Sequence, residues 1–319
     1  MCGPTAGKLY KKNSTSSTVT DDDTSTSVPP EDNNDVLLYD DGPIQYTDEE
    51  LDAMKQVKEL LTSHNEKQVD DKTMIDYERV GWKYIAMTTI ISKNRPEEAF
   101  DKIQKFLLAL KQVELTAADA ISDEELSGDD ETLFQKLQEY FIPYHTCGVD
   151  EYGRDSMWIC GNDRVYITLE EQQKNVKAGI LYHMAIHSNP NTLRHGLANF
   201  VIDITDKPTN ASSAAAAAAE SKLQKINQSF PLRPQAILIV GATGIKRILV
   251  NALIKVASIF TKIKILQRIK FTSIEEAIEL FPNNAQPLQY GGKGLDGISQ
   301  TDIPMWVKQR IESFPTPEL

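Results

Sequence analysis

Apolar residues first settle into a helical period at Leu51, Met54, Val57, Leu60 and Leu61. Spacings of three and four residues put them on one helix face. Just ahead stands Thr47-Asp48-Glu49-Glu50, with Thr47 as N-cap and Glu50 three residues on, the pattern of a capping box. A second helix is predicted to hold Tyr77, Val80, Trp82, Tyr84, Ile85 and Ile90. A third opens at Pro96-Glu97-Glu98, where proline suits the first turn, and lines up Phe100, Ile103, Phe106, Leu107 and Leu110. Residues 1–46 are rich in Ser, Thr, Asp, Asn and Pro with almost no aliphatic spacing, so a disordered acidic and polar tail is expected there. Acidic Glu114 to Glu131, containing Ser127-Gly128, reads as a solvated linker or flexible insertion.

Beyond the Phe134 to Tyr140 segment the period changes. Residues 145–166 read as strand, a turn at Glu151 to Gly153, then strand. A helix from about Leu169 to Ser188 leads into the apolar strand Leu197 to Ile204. Thr209 to Ser221 includes six consecutive alanines, good helix formers with nothing large to pack, and reads as a helix extension or surface insertion. The next apolar strand runs from Gln235 to Gly241. Two continuous apolar strands joined by a helix are most simply parallel and covered on both faces. The expected fold class is therefore α/β, a mostly parallel sheet with helices on both faces, behind an all-helical N-terminal lobe.

Composition narrows the function classes. The charge-free apolar stretch from Pro234 to Ile245 has 12 residues, against the ~20 that a membrane-crossing helix needs. No positive, then apolar, then small-residue segment opens the chain, and Cys2, Cys147 and Cys160 are too scattered for a disulfide framework or a zinc site. A reducing, cytoplasmic setting is expected. The net charge of −12 is unevenly spread, with 18 acids and 8 bases in residues 1–80 but 13 bases and 5 acids in residues 221–310. Seven bases and no acid lie between Lys246 and Lys270.

Catalytic signals are sparse. Gly241-Ala242-Thr243-Gly244 follows a strand and resembles the dinucleotide fingerprint of short-chain dehydrogenases. Against it, Arg247 stands where a third glycine is needed, no acid lies on a strand about 20 residues later, and no Tyr-x-x-x-Lys pair exists. An NAD(P)-dependent oxidoreductase is thus a remote alternative. His183 and His187 share a helix face at metal-like spacing, but Met184, Ala185 and Ile186 lie between them and packed core histidines are expected. Gly3 to Lys8 is one residue short of a phosphate loop, and Cys2 is an accessible thiol that could be acylated. No nucleophile beside a base and no catalytic carboxylate pair is recognisable, so no enzyme, no catalytic residue, no metal and no cofactor are expected.

After Gly241, the residues Ile245, Ile248, Leu249, Leu253, Ile254, Val256, Ile259, Phe260, Ile263 and Ile265 crowd more than one helix face, with Lys246, Arg247, Lys255 and others between them. Basic side chains snorkelling from such a helix suit an anionic membrane surface. Phe230-Pro231, the strand ending at Gly241, this basic apolar helix, Thr261 to Ile265, and Pro287-Leu288-Gln289-Tyr290-Gly291-Gly292 resemble, in that order, the CRAL-TRIO lipid-binding domain of phosphatidylinositol transfer proteins and retinoid or tocopherol carriers. Asp150 to Arg154 is similar to that family's Asp-x-x-Gly-Arg hairpin, Phe200 to Asp203 to its Asp-ended strand, and Tyr77 to Lys111 to its helical lobe.

The resemblance implies a helical lobe at 47–131, a lipid-binding domain at 132–312 and a tail at 313–319. It implies an apolar cavity floored by Phe200, Ile202, Ile237 and Ile239, and closed by a gate helix from about Thr243 to Ser258. Ile248, Leu249, Leu253, Ile254, Ile259 and Phe260 would face the guest, and Lys246, Arg247 and Lys255 the membrane. Thr261 and Lys262 would meet a phosphate headgroup. Leu232 stands where inositol-lipid binders carry Glu, and Ala198 and Phe200 where choline-lipid binders carry hydroxyls, so the headgroup stays open. The implied function is to bind one phospholipid or terpenoid and transfer or present it at membranes, with lipid-sensing regulation as the alternative. The implied partners are that lipid, an anionic membrane surface contacted peripherally and reversibly, and a protein docked on the acidic N-terminal region; no nucleic acid is expected.

Overall fold

A computed structural model describes residues 42–66, 75–160, 164–205, 213–244, 266–281, 286–292 and 302–318. Three helices come first, α1 (Asp48–Glu66), α2 (Trp82–Ile91) and α3 (Pro96–Leu110). The capping box opens α1 as expected, with Thr47 N donating to Glu50 Oε2 at 2.9 Å and Glu50 N to Thr47 Oγ1 at 3.2 Å. Glu50 has a second task, accepting from Arg194 Nε at 3.0 Å across 144 residues. Ahead of the box, Ile44 is buried and Tyr46 Oη donates to the carbonyl of Pro315, so the expected tail is already packed at its last residues.

The second helix is shorter than its apolar period predicts. Tyr77 and Val80 are buried but precede α2, which begins at Trp82. The reason lies 41 residues downstream, where Asp123 Oδ1 accepts from Trp82 N at 2.7 Å and serves as its cap. Gly81 N donates to the Ile121 carbonyl, and a Cβ on Gly81 would lie 2.6 Å from Asp123 N. The acidic segment is therefore not a solvated linker. It holds the short helix α4 (Ala117–Ala120), buries Leu115, Ile121 and Leu126, and turns its acids outward before α5 (Glu131–Leu137).

The sheet follows, with β1 (Tyr144–His145), β2 (Met157–Cys160), β3 (Leu197–Asp203), β4 (Pro234–Val240) and β5 (Ile269–Thr272) in that spatial order. β1 is antiparallel to β2 and every other described pairing is parallel. Between β1 and β2, Asp150 Oδ1 accepts from the Tyr152 and Arg154 amides while Oδ2 holds the Arg154 guanidinium at 2.6 Å and 2.9 Å. Gly153 takes φ 70° there, a conformation that favours glycine. Helix α6 (Leu169–His187) and α7 (Pro190–His195) connect β2 to β3, and α8 (Ala214–Ser229) connects β3 to β4. Ala216 and Ala219 of the alanine tract join Leu223 and Ile226 in the buried stripe of α8, so the tract is partly core. α9 (Ile274–Ile278) follows β5, and α10 (Ile303–Glu312) comes last.

One large core unites side chains of α1, α2 and α3 with those of α6, α8 and α10, and Ile159 and Phe200 pack against it. A second, smaller core gathers Trp158, Val201, Leu238 and Val240 of the sheet with Ala277 and Phe281. The residues after α10 stay attached: Phe314 is buried at the head of the expected tail. Arg310 reaches Asp155, which is fully buried, at 3.2 Å, and Lys83 Nζ donates to the Ile311 carbonyl at 2.9 Å. Burial raises the Asp155 pKa and the Arg310 charge opposes that rise.

Candidate functional site

Side chains alternate along a strand, and parallel register keeps paired residues on one side. The pairs Ile159 with Ile202, Phe200 with Ile237, Ile202 with Ile239, Ile237 with Ile269 and Ile239 with Phe271 therefore share a face. Apart from Ile239, which is buried, all of these are only half-buried. The residues between them tell the opposite story, for Trp158, Val201, Leu238 and Val240 are 0–1% exposed. Through β2, β3 and β4 the sheet thus carries one closely packed apolar face and one that keeps more accessible hydrocarbon, although Met157, opposite Phe200 on the second, is fully buried and Lys270, opposite Leu238 on the first, is exposed. Phe200, Ile202, Ile237 and Ile239, expected to form a floor, lie together on the accessible side.

Two guanidinium groups stand at the amino ends of β4 and β5. Arg233 Nη1 donates to the Arg194 carbonyl at 2.8 Å, and Arg268 Nη1 to the Pro234 carbonyl at 2.7 Å. Burial lowers the Arg233 pKa, and the nearby charges of Arg268 and Arg95 lower it further. Arg95 pairs with Glu98 at 2.6 Å. Among the described residues, neither Arg233 nor Arg268 has a carboxylate within ion-pair distance. Such a cationic corner suits an anion, whose charge would relieve the mutual repulsion. No known protein family matches the chain, and no curated protein does either.

Sequence reading missed this corner. It placed the headgroup contacts at Thr261 and Lys262, which lie in 245–265, outside the described residues. Ile248, Leu249, Leu253, Ile254, Ile259, Phe260, Lys246, Arg247 and Lys255 lie there too. The described strand after β4 is Ile269–Thr272, and its signal was present: Ile269-Lys270-Phe271-Thr272 alternates, and Ser273 with Glu276 forms a capping box directly behind it.

At the carboxyl ends of β2 and β3 a polar cluster joins two motifs that lie 87 residues apart. Tyr290 Oη donates to Asp203 Oδ2, Cys160 Sγ approaches the same oxygen at 3.8 Å, and Gln289 Nε2 donates to Cys160 Sγ at 2.9 Å. Burial raises the Tyr290 pKa, helped by its hydrogen bond to Asp203. Burial and the Asp203 charge push the Cys160 thiol up to about 12, leaving it an inert protonated group at neutral pH. This cluster fastens the 288–290 turn to the sheet. A Cβ on Gly292 would lie 1.9 Å from the Gln286 carbonyl oxygen, so close chain approach explains that glycine.

Gly241 likewise has a structural reason, since φ is 75° and a Cβ would sit 2.7 Å from Thr205 N at the end of β3. The described strands run in sequential order, without the reversal that creates a dinucleotide crevice in doubly wound sheets. His183 and His187 are packed, the His183 ring 4.0 Å from that of Phe230. Among the described residues no cluster of three or more His, Cys, Asp or Glu could hold a metal, and no helix is long and apolar enough to cross a membrane.

Proposed function

We propose that the chain binds a single lipid against the accessible face of its sheet and presents or transfers it at membrane surfaces. The observation that carries this reading is the unequal treatment of the two faces. Hydrocarbon costs about 25 cal/mol per Å² to leave in water, so a half-buried band of four isoleucines and two aromatic rings is stabilised when a guest covers it. A 16-carbon chain, at roughly 0.8 kcal/mol per methylene, brings the matching need. In this reading helices cover both faces of the sheet, an all-helical lobe precedes it, and the segment from Thr243 to Ser258 gates the cavity, in the manner of the CRAL-TRIO proteins that the sequence resembles. The Arg233 and Arg268 corner supports a guest with an anionic headgroup, to which Lys262 would contribute. The protein would work in the cytoplasm and dock reversibly through Lys246, Arg247 and Lys255.

Native mass spectrometry of the full chain tests this directly. The expected result is a mass increment of one phospholipid or similar lipid that organic extraction removes and that incubation with phosphatidylinositol vesicles restores. Protein that is lipid-free as purified and takes up nothing from vesicles would sink the reading.

A further inference from the structure

The peptide that leads into α1 is pinned beside the arginine corner. Ile44 is buried, Tyr46 Oη donates to the Pro315 carbonyl, and the Gln45 carbonyl accepts from Arg194 Nη2 at 2.5 Å. Arg194 in turn offers its own carbonyl to Arg233 Nη1 at 2.8 Å. Gln45 is therefore separated from the Arg233 guanidinium by the length of one arginine. Gly42 and Pro43 are exposed, so the chain reaches Ile44 from the solvent side.

Carboxylates are shared unevenly among the arginines here. Arg194 pairs with Glu50, whose Oε1 lies 3.0 Å from Nε and Oε2 3.2 Å from Nη2, and Arg95 pairs with Glu98 at 2.6 Å. Among the described residues, Arg233 and Arg268 reach only backbone carbonyls. Both side chains belong to half-buried residues, and the charges of Arg268 and Arg95 add to burial in depressing the Arg233 pKa. Two guanidinium groups are left to repel one another, and each planar fork is shaped to take a carboxylate. Directly ahead of Gly42 stand Asp40 and Asp41. From the pinned Ile44, three residues of extended chain span about 10 Å, which brings this acidic pair within range of the corner. The same stretch of chain already supplies Glu50 to Arg194, so the pair would extend an interface that exists.

We propose that Asp40 and Asp41 pair with Arg233 and Arg268, so that the chain carries its own competitor for any anion the corner receives. An incoming phosphate must displace two carboxylates that a short tether holds at high local concentration. The contact itself needs no lipid; only its bearing on headgroup retention rests on the anionic-guest reading above.

NMR of the full chain with isotope-labelled arginine tests the contact, and titration with inorganic pyrophosphate tests the competition. Rotation of the Arg233 and Arg268 guanidinium groups should be slow in the wild type and should quicken in Asp40→Asn with Asp41→Asn, while Arg95, paired with Glu98, serves as the unchanged control. The Asn pair should bind pyrophosphate about tenfold tighter than the wild type, the worth of two exposed ion pairs. Adding Arg233→Gln and Arg268→Gln should abolish that gain. Guanidinium signals that ignore the two Asn changes, or equal pyrophosphate affinity in the wild type and the Asn pair, including none in either, would overturn the proposal. Native mass spectrometry of the Asn pair keeps the two readings apart. Protein that takes up no lipid from vesicles sinks the lipid reading alone, while a tenfold gain for pyrophosphate still supports the contact.

Discussion

Asp155 shows how much one buried charge constrains the residues around it. Its backbone amide donates to Thr192 Oγ1 at 2.7 Å, and Arg310 supplies the compensating charge. Arg310→Met should lower stability by about 3 kcal/mol because it strands a buried carboxylate. Adding Asp155→Asn should recover a large part of that loss, and urea unfolding of the two single variants and the pair measures the coupling. His187 gives the acid limb of the stability curve. Burial lowers its pKa from 6.5 to about 4. Above pH 6.5 both states are neutral; between 6.5 and about 4 the unfolded chain takes a proton that the folded chain refuses. Stability should therefore fall on acidification through that window, by about 3 kcal/mol in full. The buried Asp155, whose pKa is raised, acts with the opposite sign and cannot produce this limb. His183, whose pKa burial lowers as well, acts with the same sign, so His187→Asn, which keeps a donor toward the His183 carbonyl, should remove part of the slope between pH 6.5 and 4, and an unchanged slope would assign the limb to His183.

Among elements, several with a local signal were legible in the sequence, although β5 and the Ser273 capping box behind it had such a signal and were not read. The capping box at Thr47, the proline-led stripe of α3 and the continuous apolar strands β3 and β4 each lie within a short window of sequence. The other features that escaped depended on residues distant in the chain. Nothing near Trp82 announces that Asp123 caps it, and nothing near Phe230 places Arg233 beside Arg268. The two faces of β3 were equally opaque, because both are apolar; only register and coverage distinguish them. That distinction predicts contrasting variants. Val201→Asn, on the sealed side, should cost about 3 kcal/mol or more through a buried unsatisfied amide. Ile202→Asn, on the accessible side, should cost much less by thermal melting while reducing lipid retention at least tenfold. Equal destabilisation by both changes would show that the two faces are alike.

Across the whole molecule, charge and connectivity set behaviour. Residues 221–310 carry the basic excess, and the Arg233 and Arg268 corner concentrates part of it without carboxylate partners among the described residues. Charge reversal at Lys246, Arg247 and Lys255 should weaken sedimentation with anionic vesicles, most visibly at low salt, since screening sets in beyond about 8 Å at physiological ionic strength. Arg233→Gln with Arg268→Gln should instead leave that docking intact and lower retention of anionic phospholipid relative to a neutral lipid.

The bond from Tyr46 to the carbonyl of Pro315 spans 269 residues, and Phe314 plugs the same interior that the first helices line. A ribosome emits the head of that bond long before its foot. The nascent chain must therefore wait with its first helices incompletely covered until Phe314 and Pro315 have emerged. A stop codon in place of Lys308 would release a product missing that stitch, and such a product should be cleared by proteases although all five described strands have been made.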